Sequence, residues 1–179
     1  MPNKLTRRMV EGAMSAALYV ALTYFSRLLG LADGAVQFRL SELLTVLPAF
    51  TPAAIPGLTL GCLIANLGSP YGIADIISGT LATFLAAVCT RALRRMKWRE
   101  IPVLAPFPPV IFNGLIVGVV VAILNEAGQL IPAAFTLPTF ALTALTVALG
   151  ELVVCAVGGY PLMLLLERNG LSQRLQWDQ

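Results

Sequence analysis

What this chain lacks narrows it first. Histidine is absent, lysine occurs only at Lys4 and Lys97, and charged residues make up 12% of the 179 positions. Without histidine, both the commonest general base and the commonest metal ligand are missing. Neither lysine follows a glycine-rich loop, so no P-loop can cradle a nucleotide. No Gly-x-Ser-x-Gly elbow presents a nucleophile. Cys62, Cys89 and Cys155 stand singly within apolar runs. That arrangement offers no metal-ligand spacing and no disulfide framework, and leaves the cysteines as small packing residues. The expectation is a protein that is not an enzyme and uses neither metal nor cofactor.

So little charge also excludes a soluble domain of average composition. What is present instead is apolar: 58% hydrophobic residues and a mean hydropathy of +0.82. About 20 apolar residues make one helical crossing, so the length allows five or six crossings with short loops and no second domain. The first apolar run lacks a small-residue cleavage site and is long for a signal peptide, so it is expected to remain as an anchor. The net charge of +3 is concentrated in clusters, which points to membrane topology and not to nucleic acid.

The pattern predicts an all-α integral membrane bundle of six helices forming one domain over residues 1–179. The helices are expected at about 9–29, 41–50, 54–67, 73–93, 109–125 and 139–166, the second and third being short. Pro48, Pro52 and Pro56 decide the count, because each removes a backbone donor and disfavours helix just before it. A turn at Thr51-Pro52 splits this stretch into two passes. All twelve basic residues except Arg27 and Arg39 then share one side with both termini, which the positive-inside rule makes cytoplasmic. Small residues recur every four positions at Ala13, Ala17 and Ala21, at Gly57 and Gly61, and at Gly114 and Gly118. Such stripes allow backbones to approach, either within the bundle or, for the first stripe, against another membrane subunit.

A carboxylate at the centre of a bilayer costs about 2.5–3.5 kcal/mol on insertion scales. Three acidic residues nevertheless sit in or against the apolar runs: Glu42, Asp75 and Glu151. Glu151 lies about twelve residues into the last run with no basic residue within a helical turn, so a ligand or an interhelical hydrogen bond must account for it. Glu42 follows Ser41 at a helix start, where it either complements the helix dipole or joins Gln37 and Arg39 at the outer mouth of a site. Arg39 is the expected ion-pair partner of Glu42. Asp75 has the same two readings at the start of the fourth helix. Asn66 and Asn113 can contact a ligand or tie helices together. Tyr71, Phe38 and Tyr19 can stack on a flat ligand or anchor an interface. Glu11 is read as a surface pair with Arg7 and Arg8.

The blocks Gln37-Phe-Arg-Leu-Ser-Glu-Leu-Leu-Thr-Val-Leu-Pro48, Ala54-Ile-Pro-Gly-Leu-Thr-Leu-Gly-Cys-Leu-Ile-Ala-Asn66, Gly79-Thr-Leu-Ala-Thr83, Pro109-Val-Ile-Phe-Asn-Gly114 and Ala148-Leu-Gly-Glu-Leu152 resemble the QueT family over roughly residues 10–168. The resemblance implies a substrate-binding S component of an energy-coupling factor (ECF) transporter in a prokaryotic cell membrane. It implies six helices and an outward-facing pocket covered by the loops at about 30–38 and 68–72. It further implies a queuosine precursor of the 7-aminomethyl-7-deazaguanine class as substrate. The implied partners are a membrane scaffold subunit and two ABC ATPases, docked through an Ala-x-x-x-Ala pattern on the first helix. The substrate-binding candidates are Glu42, Glu151, Asp75, Asn66, Asn113, Gln37, Arg39 and Tyr71. The competing expectations are an S component for another vitamin, an ion-coupled secondary transporter of a small cationic heterocycle with Glu151 as proton site, and a scaffold subunit in which the carboxylates are interhelical glue.

Overall fold

The computed structural model describes residues 3–170 apart from 34–35, 99–100, 124–128 and 130. Arg99, Glu126 and the C-terminal tail, which entered the charge and loop arguments above, lie outside the described residues. Six helical stretches carry the fold: α1 Lys4–Leu28, α2 Leu40–Ala49, α3 Ala54–Asn66, α4 Gly72–Leu93, α5 Phe107–Ile123 and α6 Leu137–Arg168. A single 3-10 turn, Pro132–Ala134, precedes α6. No strand forms among the described residues, only an isolated bridge between Trp98 and Ile101.

Helix ends follow local chemistry. Asn3 caps α1, its side chain accepting from the Leu5 N–H, so the helix begins five residues before the apolar run. Thr136 and Thr139 form a reciprocal capping box at α6, with Pro138 in the first turn where no N–H is needed. Phe50 to Ala53 make the expected turn between α2 and α3.

The chief departure from expectation is α2, which winds as a 3-10 helix over all ten of its residues. Such runs seldom exceed three or four residues. Pro48 has no N–H for Leu44 and its ring crowds that carbonyl in an α turn. The Glu42 carbonyl is diverted to side chains, accepting from Thr45 Oγ1 at 2.5 Å and Cys155 Sγ at 3.5 Å. Arg91 then caps the end of α2, its Nη1 donating to the Pro48 and Ala49 carbonyls at 3.3 and 3.4 Å. Two π segments, Asn113–Val117 in α5 and Val154–Gly159 in α6, also interrupt regular winding.

Glycines set the helix contacts. A Cβ on Gly57 would lie 2.4 Å from the Gly12 carbonyl oxygen, and one on Gly61 2.9 Å from the Ala16 carbonyl oxygen. A Cβ on Gly118 would lie 2.8 Å from Ala144 Cα. Close approach of α1 to α3 and of α5 to α6 therefore requires these positions. The stripe Ala13, Ala17 and Ala21 is different: all three are exposed.

Large apolar side chains cover the outside, including Ile73, Leu137 and Val157, each more than 70% exposed. A surface of that kind suits lipid and not water. Helices α4 and α6 are long and apolar enough to cross a bilayer, whereas α2, α3 and α5 are shorter apolar helices. The buried interior is unusually polar, holding Glu42, Asp75, Glu151, Asn66, Asn113, Gln37 and Arg39.

Candidate functional site

The buried polar residues divide into two groups. The first is built around Asp75 in the opening turn of α4. Arg39 Nη2 donates to both its carboxylate oxygens, at 3.3 and 3.1 Å. Ser69 Oγ adds a third bond at 2.6 Å to Oδ2. Asn66 belongs here too: its Nδ2 donates to the Asp75 carbonyl at 3.3 Å and to Cys62 Sγ at 3.4 Å. Tyr71, half-buried, donates from its hydroxyl to the Asp33 carbonyl at 2.6 Å, joining the two loops at this end. Burial, with the Asp33 carboxylate nearby, pushes the Tyr71 phenol above its ordinary range, so it stays a neutral donor.

Arg39 thus pairs with Asp75 and not, as its spacing suggested, with Glu42. The reason is backbone direction. Arg39 stands just outside α2 in extended conformation, at φ −86° and ψ 101°. Its side chain leaves the helix axis and reaches α4. Asp75 lies in the first turn of α4, where the dipole reading put it, and has in addition an ion pair with hydrogen bonds on both oxygens.

The second group lies between α1, α2, α5 and α6. Tyr19 donates its hydroxyl to Glu42 Oε1. Glu42 Oε2 is buried and makes no hydrogen bond. Asn113, at the start of the π segment in α5, lies close enough to interact with both the Glu42 and Glu151 carboxylates, yet its buried Nδ2 makes no bond of good geometry. Glu151 takes only a long contact from the Cys155 thiol, Sγ to Oε2 at 3.8 Å. The same sulfur touches the Glu42 carbonyl, so Cys155 sits between the two acidic residues. Neither Glu42 nor Glu151 makes an ion pair among the described residues. Both are at least 97% buried. A carboxylate in that setting is costly unless something shares its charge.

Residues 36–39 form a strap over this group. Phe38 N–H donates to the Leu31 carbonyl at 2.8 Å and Leu40 N–H to Ser26 Oγ at 2.9 Å, fixing the strap to the end of α1. The backbone of Gln37 then lies directly on α6, where a Cβ on Gly150 would come within 2.1 Å of the Gln37 carbonyl oxygen. Glycine next to Glu151 is therefore what admits the strap. Four interhelical clefts lined by described residues, two of them about 510 Å³, lie between apolar helix faces and contain none of Glu42, Asn113 or Glu151. The hollow expected beside Glu151 is not among them.

Of the eight candidates, Glu42, Asn113 and Glu151 come together, with Gln37 above them. Arg39, Asp75, Asn66 and Tyr71 form the other group. Tyr19, Cys155 and Ser69 were not singled out as partners of the carboxylates. Tyr19 was visible only as an aromatic, although Ser15, Tyr19, Thr23 and Ser26 make one buried polar face on α1. That periodicity was the available signal. Glu11 does more than pair with Arg7 at 2.9 Å: its other oxygen accepts from Thr51 Oγ1 at 2.8 Å, tying α1 to the turn after α2.

A family model described as QueT transporter matches residues 9–168. The "Queuosine precursor transporter QueT" of Lactococcus lactis subsp. cremoris (strain MG1363) is 38% identical over 85 residues, which are 48% of this chain and 50% of that relative. The chain thus aligns with about half the length of the curated relative. No solved structure matches it. With the family match running from the first turns of α1 to the end of α6, the chain belongs to the QueT transporter family.

Proposed function

We propose that this chain is a single membrane domain that binds a queuosine precursor of the 7-aminomethyl-7-deazaguanine class and serves as the S component of an ECF-type importer. One observation carries the substrate reading: Glu42 and Glu151 are buried near a common amide, Asn113, and neither has an ion-pair partner among the described residues, the nearby Arg39 being hydrogen-bonded to Asp75. A cationic heterocycle rich in N–H donors supplies what this arrangement lacks. Its ammonium group balances charge, and its ring N–H and exocyclic amine can bond to one carboxylate side by side. The name of the Lactococcus relative, a queuosine precursor transporter, supports the same ligand class.

Six passes with both termini in the cytoplasm are supported by the charge distribution. Arg91 reaches the end of α2, and Glu11 links Arg7 to Thr51, so the basic ends of α1 and α4 share one end of the bundle. The acidic group lies toward the other end, beneath the strap 36–39, which must lift for a ligand to enter. Coupling to a scaffold subunit and two ATPases is supported by the exposed stripe Ala13, Ala17 and Ala21.

Calorimetric titration of the purified protein tests the substrate. The expected result is saturable binding of 7-aminomethyl-7-deazaguanine, weakened at least tenfold by Glu151→Gln. No heat with any deazaguanine would overturn the assignment. Coupling is tested separately. Ala13→Trp or Ala17→Trp should abolish copurification with the ATPase module and leave ligand binding intact; retained copurification places the interface elsewhere. Uptake into liposomes driven by a pH gradient alone, without ATPase, would replace this reading with a secondary transporter.

A further inference from the structure

Resting on the proposed binding of a cationic deazaguanine, the structure also indicates which group holds which end of it. We infer that Glu151 takes the ring N–H and exocyclic amine of the guanine edge, Asn113 donates to the neighbouring keto oxygen, and Glu42 holds the aminomethyl ammonium.

The assignment follows from how many lone pairs each group has left. Glu42 has Oε1 occupied by the Tyr19 hydroxyl. Oε2, buried and without a partner, is its one wholly open oxygen. With Tyr19 already on Oε1, Glu42 is less well suited to two parallel N–H bonds than to an ammonium, a compact point charge that can be met from one direction. Glu151 is differently placed. Apart from the neighbouring Asn113, its one donor among the described residues is the Cys155 thiol at 3.8 Å, a weak donor at a distance from which it yields readily. Both oxygens of Glu151 are thus available for the paired donors of the guanine edge.

The keto oxygen adjoining that edge needs a donor beside Glu151. Asn66 cannot supply it, because its Nδ2 is committed to the Asp75 carbonyl and to Cys62. Asn113 can: its Nδ2 is buried, makes no hydrogen bond, and lies within reach of Glu42 and Glu151. An orphaned buried donor costs about 1–3 kcal/mol, so a ligand oxygen there removes a penalty as well as making a bond. Donor, carboxylate and carboxylate in one buried group complement the acceptor, paired donors and cation of the ligand.

The test reads ratios, so partial unfolding of a variant cancels. Affinities for the 7-aminomethyl and 7-cyano compounds are measured by calorimetry on the wild type, Glu42→Gln, Glu151→Gln and Asn113→Ala. The two ligands share the guanine edge, and only the first is cationic. Glu42→Gln should weaken the aminomethyl compound at least tenfold and leave the cyano compound within about threefold, erasing the preference between them. Glu151→Gln should weaken both by at least tenfold and keep their ratio. Asn113→Ala should weaken both by a similar factor and keep their ratio. If a variant does not fold, the wild type still decides for the edge: an analogue lacking the exocyclic amine should bind at least tenfold more weakly. A preference lost in Glu151→Gln and kept in Glu42→Gln would overturn the assignment and leave the substrate class standing. Failure of every deazaguanine to bind the wild type would instead remove the reading on which it rests.

Discussion

Asp75 and Glu42 look alike in sequence and in burial. Each is acidic, each opens a helix, and each is 1% exposed. Their surroundings are opposite. Asp75 has Arg39 on both oxygens and Ser69 on one, whereas Glu42 has one oxygen on a tyrosine and the other on nothing. Charge that the chain itself balances holds the ends of α2 and α4 together. Glu42 and Glu151, which have no ion pair among the described residues, are the groups that the proposed function gives to a ligand. On the proposed function, the comparison sets a structural ion pair beside a binding group in the same bundle.

Breaking the balanced group should have the largest effect on folding. Arg39→Ala leaves a buried aspartate without its cation and is expected to cost about 3–5 kcal/mol, read as a lowered midpoint of denaturation in detergent. A loss no larger than that from Glu151→Gln would erase the distinction. Gly150→Ala comes next. Its new methyl meets backbone and not a flexible side chain, so the strap must move, at about 1–3 kcal/mol. An unchanged midpoint would mean that Gln37 does not rest on α6. Tyr19→Phe removes one hydrogen bond from Glu42 and should cost about 1 kcal/mol. Glu151→Gln sits at the bottom of the scale: it removes a charge with no cation partner, and stability should hold or rise while ligand affinity falls.

Much of the fold was legible because the signals were local. Pro52 and the glycines around 68–72 punctuated the apolar runs, and all six helices lie within a few residues of their expected ranges. The departures have local causes as well. Asn3 extends α1 backward, Pro108 and Pro138 fit inside first turns, and Pro48 with the carbonyl competition at Glu42 converts α2 from α to 3-10 winding. At the site, residue types were easier to read than partners. Glu42, Asn113 and Glu151 stood out as polar residues in apolar surroundings. That Arg39 would choose Asp75, 36 positions away, over Glu42, three positions away, depended on an extended backbone that spacing does not encode. Tyr19 was hidden for a related reason: its partner is on another helix, and only its place on the polar face of α1 hinted at it.

The stretched winding of α2 has a consequence for reach. Ten residues advance about 20 Å as a 3-10 helix but about 15 Å as an α-helix. Both ends of that segment are tethered, Arg39 to Asp75 at one and the last carbonyls to Arg91 at the other. Relaxation to ordinary winding would leave a gap of about 5 Å, one full turn, at one tether. The segment therefore acts as a spacer of fixed span, and proline at position 48 sets its gauge.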